Sequence, residues 1–228
     1  MNAAAISADI ISYTALSQND KEQLNLKLNE LLADFTKKYA EQHFFGRIVQ
    51  GDYIECAMLS PKYALRVALL LKSLVKSVEI TESNSNDIRI RYFKEYGIRI
   101  AIASAPLDVL DSEKGIIDGE AIYLSGRTIK GMSTSDKKKI VVKDTMFFRS
   151  LDATVQDHFD TLISLVDALM SKCSQKQCEV LYCKLSGLTE KEIAEKTGKT
   201  QSTISQHSTA ASWNAIEKSV IHFENYLL

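Results

Sequence analysis

The chain has 228 residues, 45% of them hydrophobic and 25% charged, with a formal net charge of −1. Those values fit an ordinary globular protein of two modest domains, and a charge so near zero excludes a generally basic nucleic-acid coat. No apolar run approaches the ~20 residues of a membrane span, and Asp9 interrupts the N-terminal apolar stretch with no basic segment before it, so a cytoplasmic protein without a membrane partner is expected.

Residues 3–12 read as a buried strand that carries Asp9 where an apolar side chain would be expected. Residues 20–42 form an amphipathic helix with Leu24, Leu28, Leu31, Leu32, Phe35 and Tyr39 on one face. Strands over 44–49 and 53–58 follow, joined by Gln50-Gly51-Asp52 as a hairpin turn. Ser60-Pro61 opens the next helix as cap and first-turn proline, with a buried stripe from Ala64 to Val78. The polar run Glu82 to Asp87 is a loop, and Tyr96 to Ser104 is a fourth strand. This β-α-β-β-α-β order is the ferredoxin-like pattern. A helix over Glu120 to Met132, a solvated charge run Asp136 to Lys139, a strand Lys139 to Lys143 and a connection near residue 150 complete the first domain, 1–150.

The second domain, 151–228, begins with a helix whose Phe159, Leu162, Ile163, Val166, Leu169 and Met170 need a partner surface. Ser174 with Gln177 is a capping-box pair, and Cys178, Val180, Leu181 and Leu185 give the next helix its apolar face. Thr189 with Glu192 is a second such pair. Gly198 can end that helix with a positive φ, and Ile204, ten residues after the small Ala194, returns to the same core. Close crossing, sharp turn and interlocking core are the steric needs of a helix-turn-helix, although a hairpin in an all-α bundle shares the periodicity. The last helix would lay Trp213, Ile216, Val220, Phe223 and Leu227 on this unit or on a partner.

On the outer face of the second short helix, Gln201, Ser202, Ser205, Gln206 and Thr209 suit base edges, Thr200 leads into that helix as a further DNA contact, and Lys191, Lys196 and Lys199 suit phosphates of double-stranded DNA. From Ser171 onward seven Lys face six Glu, a net of +1, so affinity for DNA has to come from the placement of Lys191, Lys196 and Lys199 or from two copies acting together. The four Cys (Cys56, Cys173, Cys178, Cys183) form no CxxC pair and read as buried thiols.

The run SQKQCEVLYCKLSGLTEKEIAEKTGKTQSTISQH resembles the fourth region of bacterial sigma factors and the DNA-binding domain of LuxR-type regulators, departing at Ala210, where sigma-type relatives often carry a basic residue. In the first domain, AISADIISYTALS, QGDYIECAM and GIRIAIAS followed by DGEAIYLSGRTIKGM resemble the core of class III nucleotidyl cyclases, and more closely the SatD family. That resemblance implies an α+β, nucleotidyl cyclase-like fold of dimeric habit followed by the all-α helix-turn-helix domain. It implies Asp9 and Asp52 as ligands to Mg²⁺ or Mn²⁺ on nucleotide phosphates, and Arg127 as a phosphate contact. Asp52 also suits its turn by itself, and Arg127 could equally pair with Asp118 or Glu120. The cyclase pattern is broken at Tyr123, where an Asn is expected, and at Ile48, where a base-reading Lys is expected; the Asp expected near Ile116 has Asp118 as its neighbour. The resulting expectation is a homodimeric transcriptional regulator whose first domain serves as a dimerisation or ligand-sensing module. Two alternatives stay open: a metal-dependent enzyme on a nucleotide or other phosphate ester, and a protein-interaction module.

Overall fold

The computed structural model describes residues 2–84, 86–131 and 144–227. Strand β1 (Ala3–Ile10) sends Ala4, Ile6, Ala8 and Ile10 into the main core and turns Ala5, Ser7 and Asp9 to the opposite face, as the period of two requires. Helix α1 (Gln18–Lys38) opens on Ser17, whose Oγ accepts from the Asp20 amide. Strands β2 (Phe45–Val49) and β3 (Tyr53–Met58) form a hairpin. A 3-10 turn capped by Ser60 then runs into α2 (Ala64–Ser77). Helix α3 (Ile88–Tyr96), β4 (Ile98–Ala105), a small hairpin of β5 (Val109–Asp111) and β6 (Ile116–Asp118), α4 (Glu120–Gly131) and β7 (Met146–Ser150) follow.

The main sheet runs β2-β3-β1-β4-β7. Its first four strands are antiparallel to their neighbours, and β7 lies parallel to β4. Helices α1 and α2 cover one face, and α4 covers the other.

Several expected elements differ in place. The strand over 3–12 stops at Ile10, before a left-handed residue at Ser12, and the helix over 20–42 becomes α1 plus a separate 3-10 turn, Ala40–Gln42. A further helix, α3, lies between the polar run and the fourth strand, which is β4 and begins at Ile98: Asp87 accepts from the Arg89 amide to start the helix, and Gly97, at φ +69°, ends it. Tyr96 is therefore helical. The connection expected near residue 150 is β7 itself. Met132, the Asp136 to Lys139 run and the strand expected over Lys139 to Lys143 lie outside the described residues.

Among the described residues five further helices follow: α5 (Ala153–Lys172), α6 (Gln175–Leu185), α7 (Glu190–Thr197), α8 (Gln201–Ala210) and α9 (Trp213–Tyr226). Helix α2 is buried nearly all round, not along a single stripe, because α6 and α9 pack on the side away from the sheet. One continuous core joins Ile6, Leu71 and Ile100 to Phe159, Leu181 and Phe223. Phe148, Phe159 and Phe223 meet with ring centroids 4.7–5.9 Å apart, and each such buried side chain contributes about 1.5–3 kcal/mol of transfer free energy.

Polar contacts fix the register of this joint. Lys72 is fully buried; its Nζ donates to Thr145 Oγ1 at 2.5 Å and to the Ile98 carbonyl at 3.2 Å, with Asp167 at 3.3 Å. Asp167 accepts from the amides of Thr145 and Met146, tying α5 to the start of β7. Burial pushes the Lys72 ammonium toward its neutral form, and Asp167 resists that shift. Arg66 on α2 grips Glu224 of α9 with Nε and Nη2, at 2.6 and 3.0 Å, and donates to the Leu185 carbonyl at the end of α6. All four cysteines are free and buried. Among the described residues no helix is long and apolar enough to cross a membrane.

Candidate functional site

The face of the sheet under α4 carries the polar side chains that β1, β3 and β4 turn away from the main core. Small residues let α4 lie close to that face. Ser125 Oγ meets Ser7 Oγ at 2.8 Å, Ala121 packs on Ala5 and Ala105, and a Cβ on Gly126 would sit 3.5 Å from the Tyr53 hydroxyl. Where α4 diverges from the β2–β3 hairpin a cleft of about 640 Å³ opens.

The cleft brings together Asp9, Asp52 and Arg127, which lie on three separate segments of the sequence. Asp9 is paired across the sheet with Tyr53 on one side and Arg99 on the other. The Ile10 amide donates to the Asp52 carbonyl at 3.0 Å, which pins the hairpin turn against the end of β1. Gln50 and Gly51, at φ +54° and +82°, supply the tight turn that delivers Asp52 there. Burial raises the pKa of Asp9 above its ordinary value. The Arg99 guanidinium, 3.8 Å away, pulls it back, and the charge of Asp52 pushes it up again.

Among the described residues no three His, Cys, Asp or Glu side chains gather to hold a metal ion. Two carboxylates beside an open cleft nevertheless suit a hard divalent ion such as Mg²⁺, which commonly takes one or two carboxylates and completes its shell with phosphate oxygens and water. Asp9 and Asp52 fit that role, and a cation between them would relieve the repulsion that Asp9 feels.

Arg127 neither pairs with Asp118 nor with Glu120 among the described residues. Its guanidinium lies 5.8 Å from the centre of the Tyr123 ring, and the Tyr123 hydroxyl donates to Asp118. Ile48 packs against the main core, so its side chain is on the wrong face of β2 to read a base in the cleft. The residues that do face it from β2 and β3 are Val49, Tyr53 and Glu55. Arg47, one residue before Ile48, holds Glu55 through Nε and Nη2 at 3.0 and 2.8 Å and reaches the Gly115 carbonyl. Sequence reasoning missed Arg47, Glu55, Arg99 and Lys130; the alternation of β2 and β3 on either side of the turn was the signal that could have found the first two.

The second region of interest is the trio α6, α7 and α8. Its small core consists of Val180, Cys183, Ile193, Ala194 and Ile204. Both capping boxes form: Ser174 with Gln177, and Thr189 with Glu192. Gly198 ends α7 at φ +65° and Thr200 caps α8. On α8, Gln201, Ser202 and Gln206 are exposed and Ser205 is half-buried, while Lys191 and Lys196 on α7 are exposed. Lys199 is half-buried instead, and its Nζ donates to Glu179 at 3.1 Å.

No family profile matches the chain, and no curated protein matches it. Among solved structures, it is similar to a bacterial light-regulated adenylyl cyclase, at 13% identity over 65% of this chain and 43% of that one, with a TM-score of 0.42. It is also similar to the non-canonical dimeric guanylyl cyclase domain of the RhoGC fusion protein from the aquatic fungus Blastocladiella emersonii, at 14% identity over 59% of this chain and 74% of that one, with a TM-score of 0.38. A third, the guanylyl cyclase Cya2, has 13% identity over 56% and 68% of the two chains and a TM-score of 0.35. All three are nucleotidyl cyclases, and in the first the match spans less than half of the relative's length. At such identities and TM-scores no activity follows from the likeness.

Proposed function

We propose that the protein is a DNA-binding transcriptional regulator in which α7 and α8 form a helix-turn-helix and the sheet domain senses a ligand or joins two copies. The observation that carries this reading is the packing of α8. Ile204 enters the core shared with Ile193 and Ala194, and that leaves Gln201, Ser202 and Gln206 directed outward as a continuous polar face. At 1.5 Å per residue α8 is about 15 Å long, enough to seat its first turns in a major groove about 12 Å wide. Gln can pair both amide atoms with the N6 and N7 of adenine. In the sheet domain, the antiparallel neighbours β2-β3-β1-β4 support a ferredoxin-like reading. Binding-site selection with the full chain tests the proposal: an enriched motif that changes in Gln206→Ala supports it, and no enrichment overturns it.

A second reading draws on the cleft: an enzyme acting on a nucleotide or other phosphate ester. Asp9 and Asp52 would hold Mg²⁺ or Mn²⁺, which would neutralise phosphate charge, and Arg127 would have to leave Tyr123 to contact the phosphate. Metal-dependent turnover of a phosphate ester that Asp52→Ala abolishes would favour this reading over ligand sensing.

A further inference from the structure

His158 on α5 and His222 on α9 stand 64 residues apart in the sequence, yet their Nε2 atoms meet at 2.7 Å. Both side chains are exposed, so solvent reaches the point where they meet. Aromatic packing holds the rings in place. Tyr226, one turn after His222 on the same face of α9, stacks on the His158 ring with centroids 4.9 Å and planes 16° apart. Phe159, fully buried, meets the His158 ring edge-on at 4.9 Å and lies 6.0 Å from the His222 ring. A hydrogen bond between the two rings needs a hydrogen on one Nε2 and a lone pair on the other. With the hydrogen of each ring on Nδ1 instead, two imidazole lone pairs converge from two different helices.

We infer that His158 and His222 form a binding site for a divalent transition-metal ion, Cu²⁺ first and Ni²⁺ after it, an assignment that rests neither on the DNA reading nor on the Asp9 cleft. Imidazole nitrogen suits these ions, whereas Mg²⁺ prefers oxygen. The spacing selects the geometry. At metal–nitrogen lengths of about 2.0–2.1 Å, neighbouring ligands of a square-planar ion stand about 2.9 Å apart, and those of a tetrahedral ion about 3.3–3.4 Å apart. From 2.7 Å the rings need open by only about 0.2 Å for the first and by about 0.6 Å for the second, against the Tyr226 stack. Square-planar or tetragonal coordination is the habit of Cu²⁺ and Ni²⁺. Among the described residues no third His, Cys, Asp or Glu joins the pair, so water fills the remaining positions. The bound ion ties α9 to α5, and because it binds only the closed arrangement it stabilises the fold in proportion to its concentration.

The test adds Cu²⁺ to the full chain and records its electron paramagnetic resonance, with thermal melting in Ni²⁺ and in Mg²⁺ alongside. The wild-type protein should give a tetragonal spectrum coupled to two imidazole nitrogens, and should melt at a higher temperature in Ni²⁺ than in Mg²⁺. His158→Ala and His222→Ala should each abolish the Ni²⁺ shift and weaken Cu²⁺ binding by at least about tenfold, the loss that even an outer-shell partner commonly causes. His43→Asn keeps the pair and should match the wild type. A wild-type chain that binds neither ion, or two-nitrogen coupling and a Ni²⁺ shift that survive either alanine substitution, overturns the site. Should an alanine variant melt early without metal, His222→Gln, which keeps a long polar side chain and removes the imidazole, decides by the same spectrum.

Discussion

Asp9 and Asp52 line one cleft from different segments, and the charge of Asp52 adds to the burial that raises the pKa of Asp9. A raised acid pKa means that the folded state holds its proton more tightly than the unfolded chain. Its contribution to stability is therefore complete below the unfolded value near 4 and declines as pH rises through the higher folded value. Asp9→Asn should remove that decline, giving a higher melting temperature at neutral pH and a flatter profile above about pH 4. Mg²⁺ or Mn²⁺ with a nucleotide should stabilise the wild-type protein and leave Asp9→Asn unmoved. A metal effect of equal size in both would remove Asp9 from the ligand set.

The Lys72–Asp167 pair gives an asymmetric prediction. Lys72→Met leaves Asp167 with the Thr145 and Met146 amides and the Thr145 hydroxyl, whereas Asp167→Ala leaves a fully buried ammonium without its counter-charge. Removing one partner of a buried pair costs about 3–5 kcal/mol, and the three hydrogen bonds that Asp167 keeps in Lys72→Met make that the smaller of the two losses. Urea unfolding of the two variants should separate them clearly; equal losses would mean that the pair is not held as described.

These two sites also mark what could be read from the sequence. Asp9 was visible because a carboxylate inside a buried strand is costly, and the capping boxes and Gly198 were visible because their partners lie within four residues. The rest depended on distant contacts. The Arg47–Glu55 pair exists only once β2 and β3 are in register, and α2 is buried nearly all round only because α6 and α9 arrive from far along the chain. Nothing local links Lys199, a candidate phosphate contact, to Glu179, which comes from the neighbouring helix. Helix α3 escaped notice because Ile88, Ile90 and Tyr92 alternate as a strand would, while Ile90 and Phe93 are the residues that it buries.

Gly198 supplies a clean test of the turn between α7 and α8. At φ +65° with nothing within 4 Å of an added Cβ, Gly198→Ala should cost only the backbone strain of the left-handed region, about 1–2 kcal/mol. Gly198→Asn should cost less, because Asn tolerates that conformation. Thr189→Ala should cost about 1 kcal/mol by removing the cap. Hydrogen exchange should place all three effects in α7 and α8; uniform loss of protection across the chain would contradict a local turn.

Two copies acting together would double the phosphate contacts of the weakly charged face proposed to bind DNA. Light scattering should therefore find a dimer at concentrations where DNA binding is saturated. A monomer under those conditions would rule this out.

The cleft should not cyclise ATP or GTP. Cyclisation needs metals to activate the ribose hydroxyl and neutralise the triphosphate, and donors placed where charge builds on the transferring phosphorus. Asp9 and Asp52 could provide the metal end. Tyr123, however, has given its hydroxyl to Asp118 and its ring to Arg127, so it supplies no amide to orient a ribose and it occupies the one guanidinium on α4. Ile48 faces the main core, and Arg47 is held by Glu55 and the Gly115 carbonyl, so β2 offers a purine no free donor from either residue. Losing one preorganised contact of this kind costs about 10²–10³ in rate, and two are missing. Incubation with ATP or GTP and Mn²⁺ should yield no cyclic product above a protein-free control. Cyclic product that vanishes in Asp52→Ala would overturn this prediction and make the cleft catalytic.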